Sequence, residues 1–99
     1  MSSTTDQRQA AEAKIAQLIG VLIAHPGSAT STVVEECEAL ARAVGAFHME
    51  AIRFRMFNVD RLLPKTGAAA LPQAAALLEE VRRHLEAAGF YTRSHQAPG

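Results

Sequence analysis

The residues of this chain that could bind a metal ion or act as a nucleophile are one cysteine and four histidines: Cys37, His25, His48, His84 and His95. A metal site needs such side chains to converge at about 2.0–2.3 Å from one ion. Cys37 and His48 would lie about 16 Å apart along a single helix, and no HxxxH or ExxH pair occurs. We therefore expect no metal site within one chain and no cofactor.

The sequence also lacks the motifs that usually accompany catalysis. It contains no GxSxG, no glycine-rich phosphate loop and no paired carboxylates at a predicted loop mouth. Cys37 falls on an apolar helical stripe, where a free cysteine typically serves as a small core residue. His48 is a lone histidine beside apolar residues, and a structural role is its simplest interpretation. We expect a non-enzymatic protein with no catalytic residues.

Composition and charge limit the possible fold and the possible functions further. The 99 residues suit one domain, and 48% of them are hydrophobic, with abundant alanine and few aromatics, which favours an all-α fold. The formal net charge is zero, which argues against nucleic-acid binding and against a basic membrane anchor. The start of the chain does not resemble a secretory signal, and the longest apolar stretch, 15–24, is too short to span a bilayer. We expect a cytoplasmic protein, and the heavy use of alanine and arginine suggests a bacterial gene.

Helical periodicity and helix-breaking residues predict three helices, at about 5–25, 31–63 and 71–89. Pro26 and Gly27 end the first, Pro64 ends the second, and Pro72 and Gly89 suit the start and end of the third. Residues 5–90 would then form a single helical domain, with a disordered start at 1–4 and a flexible tail at 91–99.

The long central helix is predicted from a heptad repeat. Apolar residues recur at steps of four and three over three repeats, at Val33, Cys37, Leu40, Val44, Phe47, Ala51 and Phe54. Gly45 could break this helix, because a glycine inside a helix costs about 1 kcal/mol relative to alanine. The repeat passes through Gly45 without a change of phase, which favours continuity. A break there would instead give a four-helix monomer.

The second half of this central helix carries a second apolar sector, formed by Met49, Ile52, Met56, Val59 and Leu63, and Phe57 lies on the polar side of the helix. Short loops place the outer helices antiparallel to the central one, so its far end has only one neighbour from its own chain. An uncovered apolar stripe is an association surface or an aggregation hazard. We therefore predict a dimeric helical bundle whose interface contains these six residues.

Arginines are threaded among the apolar residues of this segment. Arg55 lies between the two apolar sectors and needs a carboxylate, either Glu50 of a partner chain or an acidic residue of the N-terminal half. On this reasoning Arg55 belongs to the interface, and Arg55→Ala would weaken a dimer more than Arg53→Ala. The same segment supports an alternative, a small nucleic-acid-binding regulator that uses Arg53, Arg55, Arg61 and Lys65.

Together these observations predict a helical protein–protein interaction module, such as an adaptor, a scaffold or a small regulatory subunit. It would self-associate through residues 47–63, as a homodimer, and it could also bind a helix of another protein.

Overall fold

The structure, a computed structural model, describes residues 4–68 and 71–90 of the chain. Within them lie four α-helices and one short 3₁₀ turn, and no strand is present. The helices are α1 (Thr4–Ala24), α2 (Thr30–Gly45), α3 (Met49–Leu62) and α4 (Pro72–Ala87), and the 3₁₀ turn is Leu63–Lys65. The fold of the described residues is therefore all-α, as the composition predicts.

The two outer helices lie close to their predicted positions. The predicted helix 5–25 is observed as α1, and the predicted helix 71–89 as α4, with Pro72 in its first turn. Gly89 follows α4 with a φ of 100°, the left-handed conformation that glycine adopts at low cost after a helix. The predicted disordered start, 1–4, and tail, 91–99, lie outside the described residues, except that Thr4 begins α1.

The prediction of one continuous central helix is wrong, because α2 ends at Gly45 and α3 begins at Met49. The backbone N–H of Phe47 donates to the carbonyl of Val44 at 3.1 Å, and that of His48 to the carbonyl of Ala43 at 3.0 Å. This pair of bonds is the Schellman arrangement that terminates helices. The three-helix description therefore gives way to the four-helix alternative, with the break where that alternative placed it.

Phe47 occupies the left-handed position of this turn, with a φ of 62°. Glycine usually fills that position, since a side chain there clashes with the following carbonyl and costs about 1–2 kcal/mol. Contacts distant in sequence offset this cost. The guanidinium of Arg8 lies 4.6 Å from the centre of the Phe47 ring, and the Phe90 ring meets it edge-on at 5.1 Å. Arg8 also donates to the carbonyl of Val44 at 3.2 Å, where a cation suits the negative end of α2.

The core is a single cluster of buried apolar side chains to which all four helices contribute. Helix α1 packs against both α2 and α4, and α3 packs against α2. The turn before α3 re-orients that helix, so that its core side is formed by Ile52, Met56 and Val59. No helix in the described part of the chain is both long enough and apolar enough to cross a membrane.

A buried arginine joins α4 to α3. Arg82 is almost fully buried and donates to both carboxylate oxygens of Asp60, at 2.7 and 3.2 Å, and to Glu79 at 3.1 Å. Burial alone would lower the pKa of Arg82, but the hydrogen bonds and charges of Asp60 and Glu79 outweigh it and raise that pKa. The guanidinium therefore stays charged and connects α4 to α3.

Cys37 is fully buried in the core side of α2. Burial, and to a smaller extent the charges of Glu36 and Glu38, raise the pKa of its thiol from 9.0 to about 12. Between these two values only the thiol of the unfolded chain ionises, and this ionisation stabilises the unfolded state. The contribution of the thiol to stability is thus complete below pH 9 and is lost as the pH rises towards 12.

We expect the free energy of unfolding of the wild type to fall more steeply with pH than that of Cys37→Ala, by up to about 1.4 kcal/mol per pH unit. The measurement is chemical denaturation of both proteins at several pH values between 9 and 11. The variant lacks only the thiol and keeps every other ionisable side chain of the wild type. Parallel curves would show that the thiol is not buried in the folded chain.

Candidate functional site

Four residues of the predicted interface lie in the core of the chain itself. Ile52, Met56 and Val59 are fully buried, and Leu63 is nearly so. The prediction that they form an uncovered apolar sector is therefore wrong. It depended on a continuous central helix, whose far end would have only one neighbour from its own chain. The turn at 46–48 instead lets α3 pack against α2, so this sector faces the core.

Arg55, the polar residue of the predicted interface, is bound within its own chain. Its Nη1 atom donates to both carboxylate oxygens of Glu36 at 3.1 Å, and Asn58, which is buried, donates to the same carboxylate at 3.0 Å. Glu36 is one of the acidic residues of the N-terminal half that the sequence offered as partners. Arg55 therefore joins α3 to α2, and the expected difference between Arg55→Ala and Arg53→Ala loses its basis.

The opposite face of α3 presents two phenylalanines to solvent. Phe54 is 56% exposed and Phe57 is 44% exposed, and they lie three residues apart on the helix. Glu50 and Arg61, which are also exposed, precede and follow them. At about 100° per residue, these four positions fall within about 60° of one another. We call Glu50, Phe54, Phe57 and Arg61 the aromatic stripe.

A shallow groove runs along one edge of the stripe, lined by Glu50, Arg53, Phe54 and Phe57. Arg53 is half-buried, and its Nε atom is enclosed without an acceptor among the described residues. Buried donors are normally paired, so this atom is an open hydrogen-bonding position. Met49, from the predicted interface, is 36% exposed at the start of the same helix. The groove thus combines apolar surface with both signs of charge.

Two other large apolar side chains are exposed, but they lie elsewhere. Phe47 is at the turn between α2 and α3, where its ring already contacts Arg8 and Phe90. Ile23 is 62% exposed near the end of α1, beside a second shallow groove formed with the start of α2. Ile23 is a single apolar side chain, which is normal on a protein surface. The aromatic stripe is therefore the stronger candidate for a binding surface.

The residues of the nucleic-acid alternative are divided in the structure. Arg61 and Lys65 are exposed, while Arg53 is half-buried beside the stripe and Arg55 is bound to Glu36. Glu50 adds a negative charge to the same surface, which would oppose a phosphate backbone. Among the residues that the structure describes, no group of three metal-ligating side chains comes together.

The signal that could have found the aromatic stripe was present in the sequence. Once α3 is treated as a separate helix, its apolar residues fall on two opposite sides, one aliphatic and one aromatic.

Comparison with protein-family models, with curated proteins and with solved structures finds no match to this chain.

Proposed function

We propose that this chain is a non-enzymatic helical interaction module that self-associates through the outward face of α3, as a homodimer. The observation that carries the proposal is the pair of exposed rings, Phe54 and Phe57, side by side on the face of α3 opposite the core. The proposed interface lies in the segment predicted from the sequence, residues 47–63. It uses the exposed aromatic side of α3 instead of the aliphatic side, because the aliphatic side is already buried in the core.

Aromatic side chains support this proposal by their size and geometry. Each phenylalanine can bury on the order of 150–250 Å² and gains further from edge-to-face or offset stacking with another ring. Two copies would bring four rings together at the centre of an interface, where the residues that dominate binding usually lie. Since α3 has only 14 residues, the interface is small, and we expect a reversible dimer rather than an obligate one.

The charged residues around the rings give the surface the composition of a binding site. Glu50, Arg53 and Arg61 form a polar border around an apolar centre, as in most protein–protein interfaces. The alkyl stem of an arginine can also cover apolar surface while its charged end stays in water. The nucleic-acid alternative stays a prediction, since no contact in the described residues favours it over self-association.

The test is sedimentation equilibrium of the wild type and of the double variant Phe54→Ser/Phe57→Ser over protein concentrations from about 1 to 500 μM, the range of weak homodimers. We expect the wild type to approach twice the monomer mass, and the double variant to stay monomeric. Neither ring belongs to the buried core, since Phe54 is 56% and Phe57 44% exposed, so the variant should fold, which circular dichroism would check.

Ile23→Ser is the matched control, because it removes an equally exposed apolar side chain from another surface. We expect it to associate like the wild type. A monomeric wild type, or equal association by the double variant, would refute the proposed function. Loss of association in Ile23→Ser alone would move the interface to the groove at the end of α1.

A further inference from the structure

The aromatic stripe has the same spacing of charged and aromatic positions in both directions along the helix, and only the sign of the charge differs between its two ends. From its first residue, Glu50, the steps to Phe54, Phe57 and Arg61 are four, three and four. The midpoint between the two rings is therefore also the midpoint between the two charged residues. A helix face with this symmetry can meet a copy of itself with every position matched.

Matching fixes which residues meet. When two copies of α3 cross antiparallel about that midpoint, Phe54 of one copy lies beside Phe57 of the other. Glu50 of each copy then lies beside Arg61 of the other, about 8 Å along the helix from the centre. Every pair in this arrangement is favourable, with ring against ring and acid against base.

A parallel arrangement gives the opposite result. It places Glu50 beside Glu50 and Arg61 beside Arg61, so both outer pairs repel. Neither side chain has an ion pair to another residue within 4–68 and 71–90. An antiparallel copy supplies the missing partner to both of them, and does so twice in the dimer because of the two-fold symmetry.

We infer that the partner of this surface is a second copy of the chain, packed α3 to α3 in antiparallel orientation about a two-fold axis between Phe54 and Phe57, with two intermolecular Glu50–Arg61 ion pairs. The inference rests on the proposed function, since it needs self-association through the aromatic stripe. It adds the orientation, the register and the ionic contacts that set them.

Charge reversal tests this inference. Glu50→Arg would place two arginines together at both ends of the interface, and Arg61→Glu would place two glutamates there. We expect each single variant to raise the dimer dissociation constant by about tenfold or more at low ionic strength. The double variant Glu50→Arg/Arg61→Glu restores both pairs with their signs exchanged, and we expect its dissociation constant to return to within about threefold of the wild type.

Three further measurements make the result specific. An equimolar mixture of the two single variants should associate more strongly than either alone, because each copy supplies the charge that the other has lost. At about 0.5 M salt the differences should shrink, since exposed ion pairs are screened. Glu35→Arg, which makes the same change of net charge at an exposed position of α2, should associate like the wild type.

The outcomes separate the two proposals. If the wild type dimerises through the phenylalanines, but the single variants match it or the double variant fails to recover, the antiparallel register is wrong and the proposed function stands. If the wild type stays monomeric, both are wrong. Recovery in the double variant, together with association of the mixed single variants, supports the inferred geometry.

Discussion

Ile52→Asp is expected to unfold the chain. The Ile52 side chain is fully buried among the residues that join α3 to the rest of the core. The substitution removes buried methyl groups, which costs about 2–5 kcal/mol, and it places a carboxylate where no water can solvate it. Together these effects approach the total stability of a small domain, which is about 5–15 kcal/mol. Circular dichroism and thermal denaturation would report the loss of helix and of the cooperative transition.

Phe54→Asp is the matched control, because it makes the same replacement two residues away on the outward face of α3. We expect it to fold, with a free energy of unfolding within about 1 kcal/mol of the wild type, since the ring is largely exposed. It should nevertheless fail to dimerise. A folded Ile52→Asp, or an unfolded Phe54→Asp, would mean that the inner and outer faces of α3 have been assigned the wrong way round.

Gly67→Ala is expected to produce the second largest effect, a loss of about 2–4 kcal/mol in the free energy of unfolding. A Cβ atom at Gly67 would press against the backbone carbonyl oxygens of His25 and Pro26, and one at Gly27 would press against the backbone of Gly67. Backbone atoms cannot move aside as the end of a side chain can. The substitution would therefore force apart the two corners of the chain that these glycines bring together.

Gly20→Ala provides the control for this prediction. Gly20 is exposed in the C-terminal part of α1, and nothing lies near the position of an added Cβ atom. Alanine also restricts the unfolded chain, so we expect this variant to be more stable than the wild type by about 0.5–1 kcal/mol. Chemical denaturation of the two variants beside the wild type is the measurement. Equal stability of Gly67→Ala and the wild type would contradict the close approach of the two corners.

The sequence was sufficient to predict the helical class and the two outer helices, because their signals are local. Proline in the first turn of α4, glycine after its last turn and regular apolar spacing each depend on neighbouring residues alone. The same spacing predicted Cys37 as a core residue. Phe90, which follows Gly89, is buried, and its N–H donates to the carbonyl of Leu85 at 2.8 Å.

The break after α2 could not be placed with the same certainty, because long-range contacts stabilise it. The left-handed position is filled by Phe47, a residue type that local rules assign to a helix or a strand. What holds it there is Arg8, almost forty positions earlier, and Phe90, more than forty positions later. The heptad repeat was also misleading, since Phe47 and Phe54 continue its phase and yet are exposed.

The sequence placed the predicted interface in the segment that carries the aromatic stripe, but four of its residues are buried in the core of the chain. Two apolar sides on one helix were visible in the sequence, and the error was to assign the aliphatic side to a partner. The turn before α3 determines which side of α3 faces the core. The prediction from the sequence treated residues 31–63 as one helix without this turn, and it therefore assigned the wrong side to the core. Phe57 and Met49 are the members of the predicted interface that remain exposed as apolar side chains.

In the proposed dimer, one face of α3 packs in the core and the opposite face packs against a second copy of the chain. The most direct test is nuclear magnetic resonance, which follows the backbone amide chemical shifts as the protein is concentrated. We predict shifts that depend on concentration and cluster at Glu50, Phe54, Phe57 and Arg61, while the amides around Ile23 stay constant. Spectra that do not change with concentration, or changes centred on the end of α1, would contradict the account.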